Sequence, residues 1–516
     1  MALKDASTLY LATDADREGE AIAWHLLEVL KPRVPVHRMV FTEITAQAIQ
    51  QAQRNVRQLD MALVEAQETR RVLDRLYGFS LSPTLWYRMQ NFKLSAGRVQ
   101  TPALRLVVSR EQERRAFVPA PFWLLVARFA SGGGAPFNAT LARLGGKAVA
   151  VAKDFNSTGH LKTLAERAVL TQEAAERLAK ELSAAGATAR VTEVKERKSK
   201  SSPPAPFTTS TLQQTASQRL RLSSQQVMTT AQSLYERGLI SYHRTDSPAL
   251  SKEATEAART QAAALHGPQS VAAGGRRYGA KGANAQEAHE AIRPAGVTFA
   301  APEDLKGKVA PVQLRLYELI WRRTLASQMV DAIWSVQSLT IEAQPPAPSS
   351  PSDVAEFVAE AKALVSPGHL AMSNMPSADD AEGGAGHFAA LSEGEELPPG
   401  DVAPRRKETT PPARYTEAAL IKQLEQLGIG RPSTYASIMS TIESRGYVST
   451  NQKRELEPSP VGSSVVSWLL EHCKDFLSYD FTAEMEQALD SIAHGKESRA
   501  DWLKAFYFGQ KGRQGL

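Results

Sequence analysis

The chain has 516 residues, 42% hydrophobic and 22% charged, which is enough to bury several cores and places it among multidomain globular proteins. Its single cysteine, Cys473, excludes a disulfide framework, Cys-rich zinc sites and iron–sulfur clusters. The net charge of +6 conceals a split: residues 344–401 hold ten Asp/Glu against Lys362, so that stretch is −9 and the remainder is +15, a basic body that favours a polyanionic partner.

In chain order, residues 7–13 (STLYLAT) predict a short buried strand ending in an acidic turn. Glu18 to Leu30 predicts a helix with apolar Ile22, Leu26 and Leu30 four apart, stopped by Pro32. Val40 and Phe41 predict a further strand and residues 43–75 a largely helical stretch, so the first sixty residues read as an α/β piece. Residues 61–117 continue as helices, interrupted by a polar loop before LSAGRVQ. Residues 120–200 predict strands (PFWLLVARFA, ATARVTEVKE) and one Ala-rich helix near 171–185. From Ser201 to Trp334 the pattern is helical, broken by a loop at 266–285, and residues 335–342 (SVQSLTIE) predict a strand returning to the β-rich region. Residues 344–408, rich in Ala, Pro, Ser, Gly, Asp and Glu, read as a disordered acidic insert. The last hundred residues predict helices, with strands at GYVST and near Glu455. The expected domains are therefore 1–60, 61–118 with 409–516, 119–201 with 335–408, and a helical 202–334 nested between β-rich arms.

Asp14, Asp16 and Glu18 alternate where the first strand hands over to a helix. Three carboxylates converging on one point bind hard divalent cations, Mg²⁺ in particular; a solvated loop whose acids are favoured at a helix N-terminus is the other reading. A calcium loop is excluded because its twelfth position, which needs a bidentate Glu, is His25. GLISYHRTDS (238–247) reads as a short strand with Tyr242 and Arg244 on one face. A phenol beside a cation is a usable nucleophile, and arginine can hold the phosphate under attack; a packing tyrosine is the alternative. In NAQEAHEAIRP (284–294), His289 and Arg293 would be helical neighbours able to bind one phosphate, or simply an exposed polar face. Arg293 in place of a second His excludes HExxH zinc chemistry. LSAGRVQ places a glycine for close backbone approach before Arg98 and Gln100, and GIGRPSTY (428–435) places Pro and hydroxyls at a helix start, where backbone amides attract phosphate.

Taken in order, TDADREGEAIAWHL (13–26), RRVLDRLYGFSLSPTLW (70–86), LSAGRVQTPALRLVVSRE (94–111), PPAPFTTSTLQQTAS (203–217), GLISYHRTDS (238–247), NAQEAHEAIRP (284–294) and residues 411–448 closely resemble a type IA DNA topoisomerase of the bacterial topoisomerase I kind. The resemblance covers nearly all the chain except 344–408. It implies a multidomain α/β plus α fold: a Toprim α/β domain, a β-rich arch, a helical domain carrying the nucleophile and a helical single-strand-binding domain, arranged as a toroid. It implies that Tyr242 attacks a DNA phosphodiester to give a 5′-phosphotyrosyl link, that Arg244 stabilises the scissile phosphate, and that His289 and Arg293 lie near the phosphates. Asp14, Asp16 and Glu18 would hold Mg²⁺, and Ser95, Arg98, Gln100, Arg431, Ser433 and Thr434 would line the groove for single-stranded DNA. Strand passage and religation would relax negative supercoils without ATP, in a monomer.

Three departures from the family pattern shape the expectations. Only Met1 to Ser7 precede the first predicted strand, so the family's opening Toprim strand, with its glutamate and nearby lysine, has no counterpart. The chain carries no Cys₄ zinc ribbons, and His243 stands where relatives usually have Met or Pro. The first departure leads us to expect a poorly active or inactive polypeptide, the alternative to a working enzyme being a truncated fragment that binds single-stranded DNA without cleaving it. A site-specific tyrosine recombinase is a more distant alternative, since it would not need the acidic turn. No apolar run approaches the roughly 18 to 20 residues of a membrane span, and no secretory signal is visible. The expected location is intracellular: the bacterial cytoplasm or nucleoid, or a chloroplast or mitochondrion.

Overall fold

Leu9–Leu11 and Val36–Arg38 pair in parallel, Leu9 opposite Val36, and the helix Arg17–Leu30 crosses between them. The strand expected at Val40 and Phe41 is instead Val36–Arg38, and Val40 and Phe41 lie outside it. The computed structural model describes residues 3, 5–130, 135–163, 166–279, 290–346, 354–373, 384–385, 388, 391–397 and 400–509. The chain parts into two units, one made of Met1–Glu111, Pro204–Gln328 and Arg414–Leu516, the other of Gln112–Pro203 and Met329–Ala413.

In the first unit, helix Arg17–Leu30 is not buried by its apolar stripe. Ile22, Leu26, Val29 and Leu30 are exposed, whereas Gly19, Ala21 and Ala23 are buried. Small residues let this helix lie close to the rest of the unit, including the long helix Met61–Met89 that it packs against. That long helix and Gln100–Ala116 supply Leu73, Tyr77, Leu85 and Leu104 to a core completed by Ile421 and Leu469. Helices Thr209–Leu220, Ser224–Glu236, Lys252–His266 and Pro311–Ser327 form the scaffold around residues 238–247, each started by a Ser or Thr side-chain cap except the last, which begins with proline. No described helix is long and apolar enough to cross a membrane.

The second unit is a mainly antiparallel sheet. Its central path runs Glu396–Leu397, Thr188–Ser201, Ala332–Gln344, Ala355–Ser366, Phe137–Leu144, Pro121–Phe129 and Val402–Glu408. Helix Gln172–Leu182 packs its buried Ala175, Leu178 and Ala179 into this unit's core with Leu125, Val191 and Phe357. The sheet corrects the expectation of a disordered 344–408 insert. Ala355–Ser366 lies between Ala332–Gln344 and Phe137–Leu144, and Val402–Glu408 pairs with the strand Pro121–Phe129 from Pro121 to Ala127. The reason is local: AEFVAEAKA alternates small and large apolar residues with Glu and Lys, which suits a strand buried on one face despite the acidic composition.

Candidate active site and nucleic-acid groove

The acidic turn is built around one buried arginine. Arg38, with none of its side chain exposed, donates to Glu20 (2.9 Å) and to the backbone carbonyls of Leu11 (3.1 Å), Thr13 (2.9 Å), Met39 (2.6 Å) and Asp14 (2.7 Å). Glu20 also accepts from Arg57 and from the amide of Asp60. Burial opposes ionisation of Glu20, but the Asp60 amide, Arg57 and Arg38 outweigh it and lower its pKa. Asp16 caps the following helix: its backbone is extended and its Oδ1 accepts from the Gly19 amide at 2.7 Å. Gly19 has no alternative, because a Cβ there would sit 2.1 Å from the Asp14 carbonyl oxygen.

The other oxygen of Asp16 faces the tyrosine. Tyr242 Oη donates to Asp16 Oδ2 at 2.6 Å, and Arg244 approaches the same oxygen at 3.4 Å. The alternation in YHR thus brings both side chains to one carboxylate, although residues 241–247 form no regular strand. The segment is held instead by an isolated bridge from Ile240 to Pro294, by Ser241 N donating to Arg293 O (2.8 Å) and by Tyr242 N donating to Thr42 O (2.7 Å). Gly238 admits this approach: its φ is +69°, and a Cβ would lie 2.2 Å from the Ile44 carbonyl oxygen. The Tyr242 ring packs edge-on against Tyr235 (5.3 Å) and His243 (5.2 Å). Burial first, then the charge of Asp16, pushes the Tyr242 phenol far above its ordinary pKa. Burial and Arg244 hold His243 down at about 3, so its imidazole is neutral, and its Nδ1 has no hydrogen-bond partner among the described residues.

Arg293 is not on a helix. Its stretch is extended, with Ile292 bridging Phe207, and its buried guanidinium is occupied by Glu43 (2.8 Å) and Glu290. Its carbonyl accepts from the Ser241 amide, so its backbone is tied to the Tyr242 segment while its side chain is paired with the two glutamates. His289 itself lies outside the described residues. Glu43, which also accepts from the Gly296 amide at 2.9 Å, escaped the sequence reading; nothing in its exposed-looking FTEIT context marks it.

The expected three-carboxylate cage is not assembled. Among the described residues no three His, Cys, Asp or Glu side chains stand close enough to hold a metal ion. Glu18 is turned to Arg70 (2.7 Å), with Ser433 at 3.3 Å. Asp14 and Asp16 do stay close. Burial and the charge of Asp16 raise the Asp14 pKa, the signature of two carboxylates that resist ionising together and that a cation between them would suit.

The basic loops are likewise already engaged. Arg98 is buried, donating to Asp74 (2.8 Å) and Glu486 (2.6 Å), and is also among the residues that line the cavity between these loops and the long helix. Arg431 donates to Asp490 (2.7 Å) and to the Gly430 carbonyl, and Thr434 Oγ1 accepts from the Arg431 amide. The amide and carbonyl of Ser95 are both bound by the Tyr447 hydroxyl. Between these loops and the long helix is a cavity of about 480 Å³, lined among others by Arg75, Phe79, Trp86, Gln100 and Arg445. Exposed aromatics at Phe79, Tyr87 and Phe92 and these arginines suit stacked bases and phosphates. Glu486 and Asp490 were missed by the sequence reading. The signal was there: both lie on the face of helix Tyr479–Ala493 that buries Met485 and Leu489, so two acids interrupt an apolar stripe.

Comparison with known proteins matches this arrangement. Residues 58–504 fit the family model described as DNA topoisomerase, and residues 1–44 that of the Toprim domain. The chain is 50% identical over 520 residues to DNA topoisomerase 1 of Mycolicibacterium smegmatis, covering 98% of this chain and 54% of that protein. It is 45% identical to DNA topoisomerase 1 of Synechococcus elongatus, covering 99% and 56%. The structure of full-length topoisomerase I from Thermotoga maritima superposes with a TM-score of 0.80 at 35% identity, covering 98% of this chain and 78% of that one. The chain spans about half the length of the curated relatives it matches. With one family model fitted over residues 58–504, which hold Tyr242 and Arg244, and the Toprim model over residues 1–44, which hold their shared partner Asp16, the chain belongs to the DNA topoisomerase family of the bacterial topoisomerase I type.

Proposed function

We propose that the chain carries the strand-cleaving centre of a type IA DNA topoisomerase, with Tyr242 as nucleophile and a single-stranded segment of negatively supercoiled DNA as substrate. The observation that carries the reading is the hydrogen bond from Tyr242 to Asp16 with Arg244 on the same oxygen. In cleavage the Tyr242 oxygen bonds to phosphorus while the bond to the 3′ oxygen breaks, leaving a 5′-phosphotyrosyl end and a free 3′-hydroxyl. One phosphodiester is exchanged for another, so religation after strand passage needs no ATP. The buried phenol resists losing its proton unaided, and Asp16, at 2.6 Å, is the acceptor in reach of it. Arg244 is placed to balance charge building on the phosphate.

Mg²⁺ would be held by Asp14 and Asp16, with Glu18 joining on release from Arg70. When bound it supplies positive charge against the DNA phosphates. The cavity lined by Arg75, Phe79 and Gln100 would take the strand leading to the site. Nucleophile, arginine and carboxylate come from one unit of one chain, so a monomer suffices, and a DNA substrate places the protein inside the cell. The test is relaxation of negatively supercoiled plasmid with Mg²⁺, alongside a covalent-adduct gel on labelled single-stranded DNA, for the chain and for Tyr242→Phe. Adduct that depends on Tyr242 supports the reading. Binding without adduct makes the chain a non-cleaving single-strand binder.

A further inference from the structure

Eight charged side chains, alternating in sign, form a ring that joins the acidic turn to the basic loops. Glu18 accepts from Arg70 at 2.7 Å, and Arg70 lies 3.8 Å from Asp74. Asp74 accepts from Arg98 at 2.8 Å, and Arg98 donates to Glu486 at 2.6 Å. Glu486 lies 4.0 Å from Arg431, which donates to Asp490 Oδ2 at 2.7 Å. Asp490 Oδ1 accepts from Arg17 at 2.7 Å, and Arg17 precedes Glu18 in the chain, closing the ring. Four acids balance four arginines.

Of the acids that bridge two arginines in this ring, Asp490 spans the widest separation in sequence. Asp490 gives one carboxylate oxygen to each of two arginines from segments more than four hundred residues apart, Arg17 of the acidic turn and Arg431 of the GIGRPST loop. Its side chain is only 8% exposed. Arg17 directly follows Asp16, the partner of Tyr242. Arg17 and Arg431 line a small cleft of about 30 Å³ together with Arg70 and Arg244 and with three carboxylates, Asp16, Glu18 and Asp246. Asp490 is not among the residues lining it.

We infer that Asp490 is a positioning residue of the cleavage site: by holding Arg17 and Arg431, one on each oxygen, it fixes two of the four arginines that meet phosphates of the bound single strand in that cleft. This rests on the function proposed above. The inference predicts a sign opposite to that of simple charge. Replacing Asp490 with a neutral residue adds one positive charge to the protein, which by itself favours a polyanion. It also releases two long, like-charged side chains from their common anchor, and each must then be re-ordered when a phosphate binds.

The test measures equilibrium binding of a fluorescently labelled single-stranded oligonucleotide by the full chain carrying Tyr242→Phe, so that cleavage does not enter. Asp490→Asn is compared with Glu471→Gln, which makes the same charge change at an exposed position, each with its thermal melt. Binding about tenfold weaker for Asp490→Asn, with Glu471→Gln unchanged or tighter, is the expected result. Asp490→Asn binding as tightly as Glu471→Gln overturns the inference. If Asp490→Asn does not fold, the cycle of Arg17→Gln and Arg431→Gln decides. Losses that do not add are expected of two arginines sharing one anchor, and additive losses overturn it. A parent chain that forms no Tyr242 adduct but binds the strand sinks only the cleavage reading, because the Asp490 comparison still stands. A parent that binds no strand sinks both.

Discussion

Replacing Arg38 with leucine should cost more than any other single change in the acidic turn. The substitution keeps an apolar stem but removes every donor. The carbonyls of Leu11, Thr13, Asp14 and Met39 lose their shared partner, and Glu20 keeps only Arg57 and the Asp60 amide. An unsatisfied buried polar group costs about 1–3 kcal/mol, and breaking a buried ion pair about 3–5 kcal/mol. Water entering beside the partly buried Thr13 and Asp14 carbonyls would recover part of the first cost. A loss of roughly 3–5 kcal/mol follows, a large share of the ~5–15 kcal/mol that holds a domain folded. The damage should be local, because Arg38 joins both strands and the turn while the core around Leu73 and Leu104 does not include it. Hydrogen exchange should therefore show residues 9–60 losing protection well before the helices of 61–116, together with a lower first melting transition. Arg38→Leu melting like the parent, with protection in residues 9–38 intact, would refute the idea that this guanidinium organises the turn.

Three further outcomes are expected. The Asp14 carboxyl has a raised folded pKa, so it binds its proton more readily folded than unfolded; stability is lost as pH rises from the ordinary Asp value near 3.8 through that raised value. Asp14→Asn should then raise the melting temperature at pH 7 by a few °C, have little effect near pH 3, and abolish the melting shift that Mg²⁺ gives the parent. Glu486 runs the other way. Burial opposes its charge, but Arg98, Arg431 and Arg70 hold it at about 2, so its contribution is complete above its ordinary value of 4.5 and fades as pH falls toward 2. Glu486→Gln should cost roughly 3 kcal/mol at pH 7 and progressively less in urea melts between pH 4.5 and pH 2; a deficit independent of pH would count against the ion-pair account. Finally, Gly19→Ala forces a Cβ against the Asp14 carbonyl and must shift the turn that presents Asp16. Adduct formation should drop at least tenfold while the binding of single-stranded DNA changes little, and unaltered adduct yield would show that the turn tolerates the shift.

What could be read from the sequence was what is local. The strand–turn–helix of residues 9–30 follows from STLYLAT and the Asp16 cap, and Tyr242 and Arg244 share a target because they are two residues apart. The partners of these residues lie hundreds of positions away, and no spacing rule reaches them. Arg98 in LSAGRVQ has the composition of a phosphate loop, yet folding buries it between Asp74 and Glu486. Glu18 has the spacing of a metal ligand, yet Arg70 claims it. Composition misled in the 344–408 stretch for a related reason. Averaged acidity hides the alternation of AEFVAEAKA, and a strand flanked by two long neighbours needs only that alternation to be recruited.

The placement of charge also separates what holds the first unit together from what brings Tyr242 to its partner. The core around Leu73, Leu104 and Ile421 is apolar. The contacts that join the Pro204–Gln328 segment to the rest of the unit include four polar ones: Tyr242 to Asp16, Arg293 to Glu43, Ser210 to Glu425 at 2.6 Å, and Ser224 to Glu417 at 2.7 Å. Each of these groups can exchange its partner for water at moderate net cost, because an intramolecular hydrogen bond to a charged group contributes about 1.5–3 kcal/mol beyond the water it replaces. An apolar seam of the same extent would resist separation by the full transfer cost of its surface. Under the function proposed above, in which Tyr242 carries a DNA end away from its carboxylate and returns it, a polar seam of this kind would serve, because its parting costs less than that of an apolar one and the geometry on return is set by charged hydrogen bonds between fixed partners.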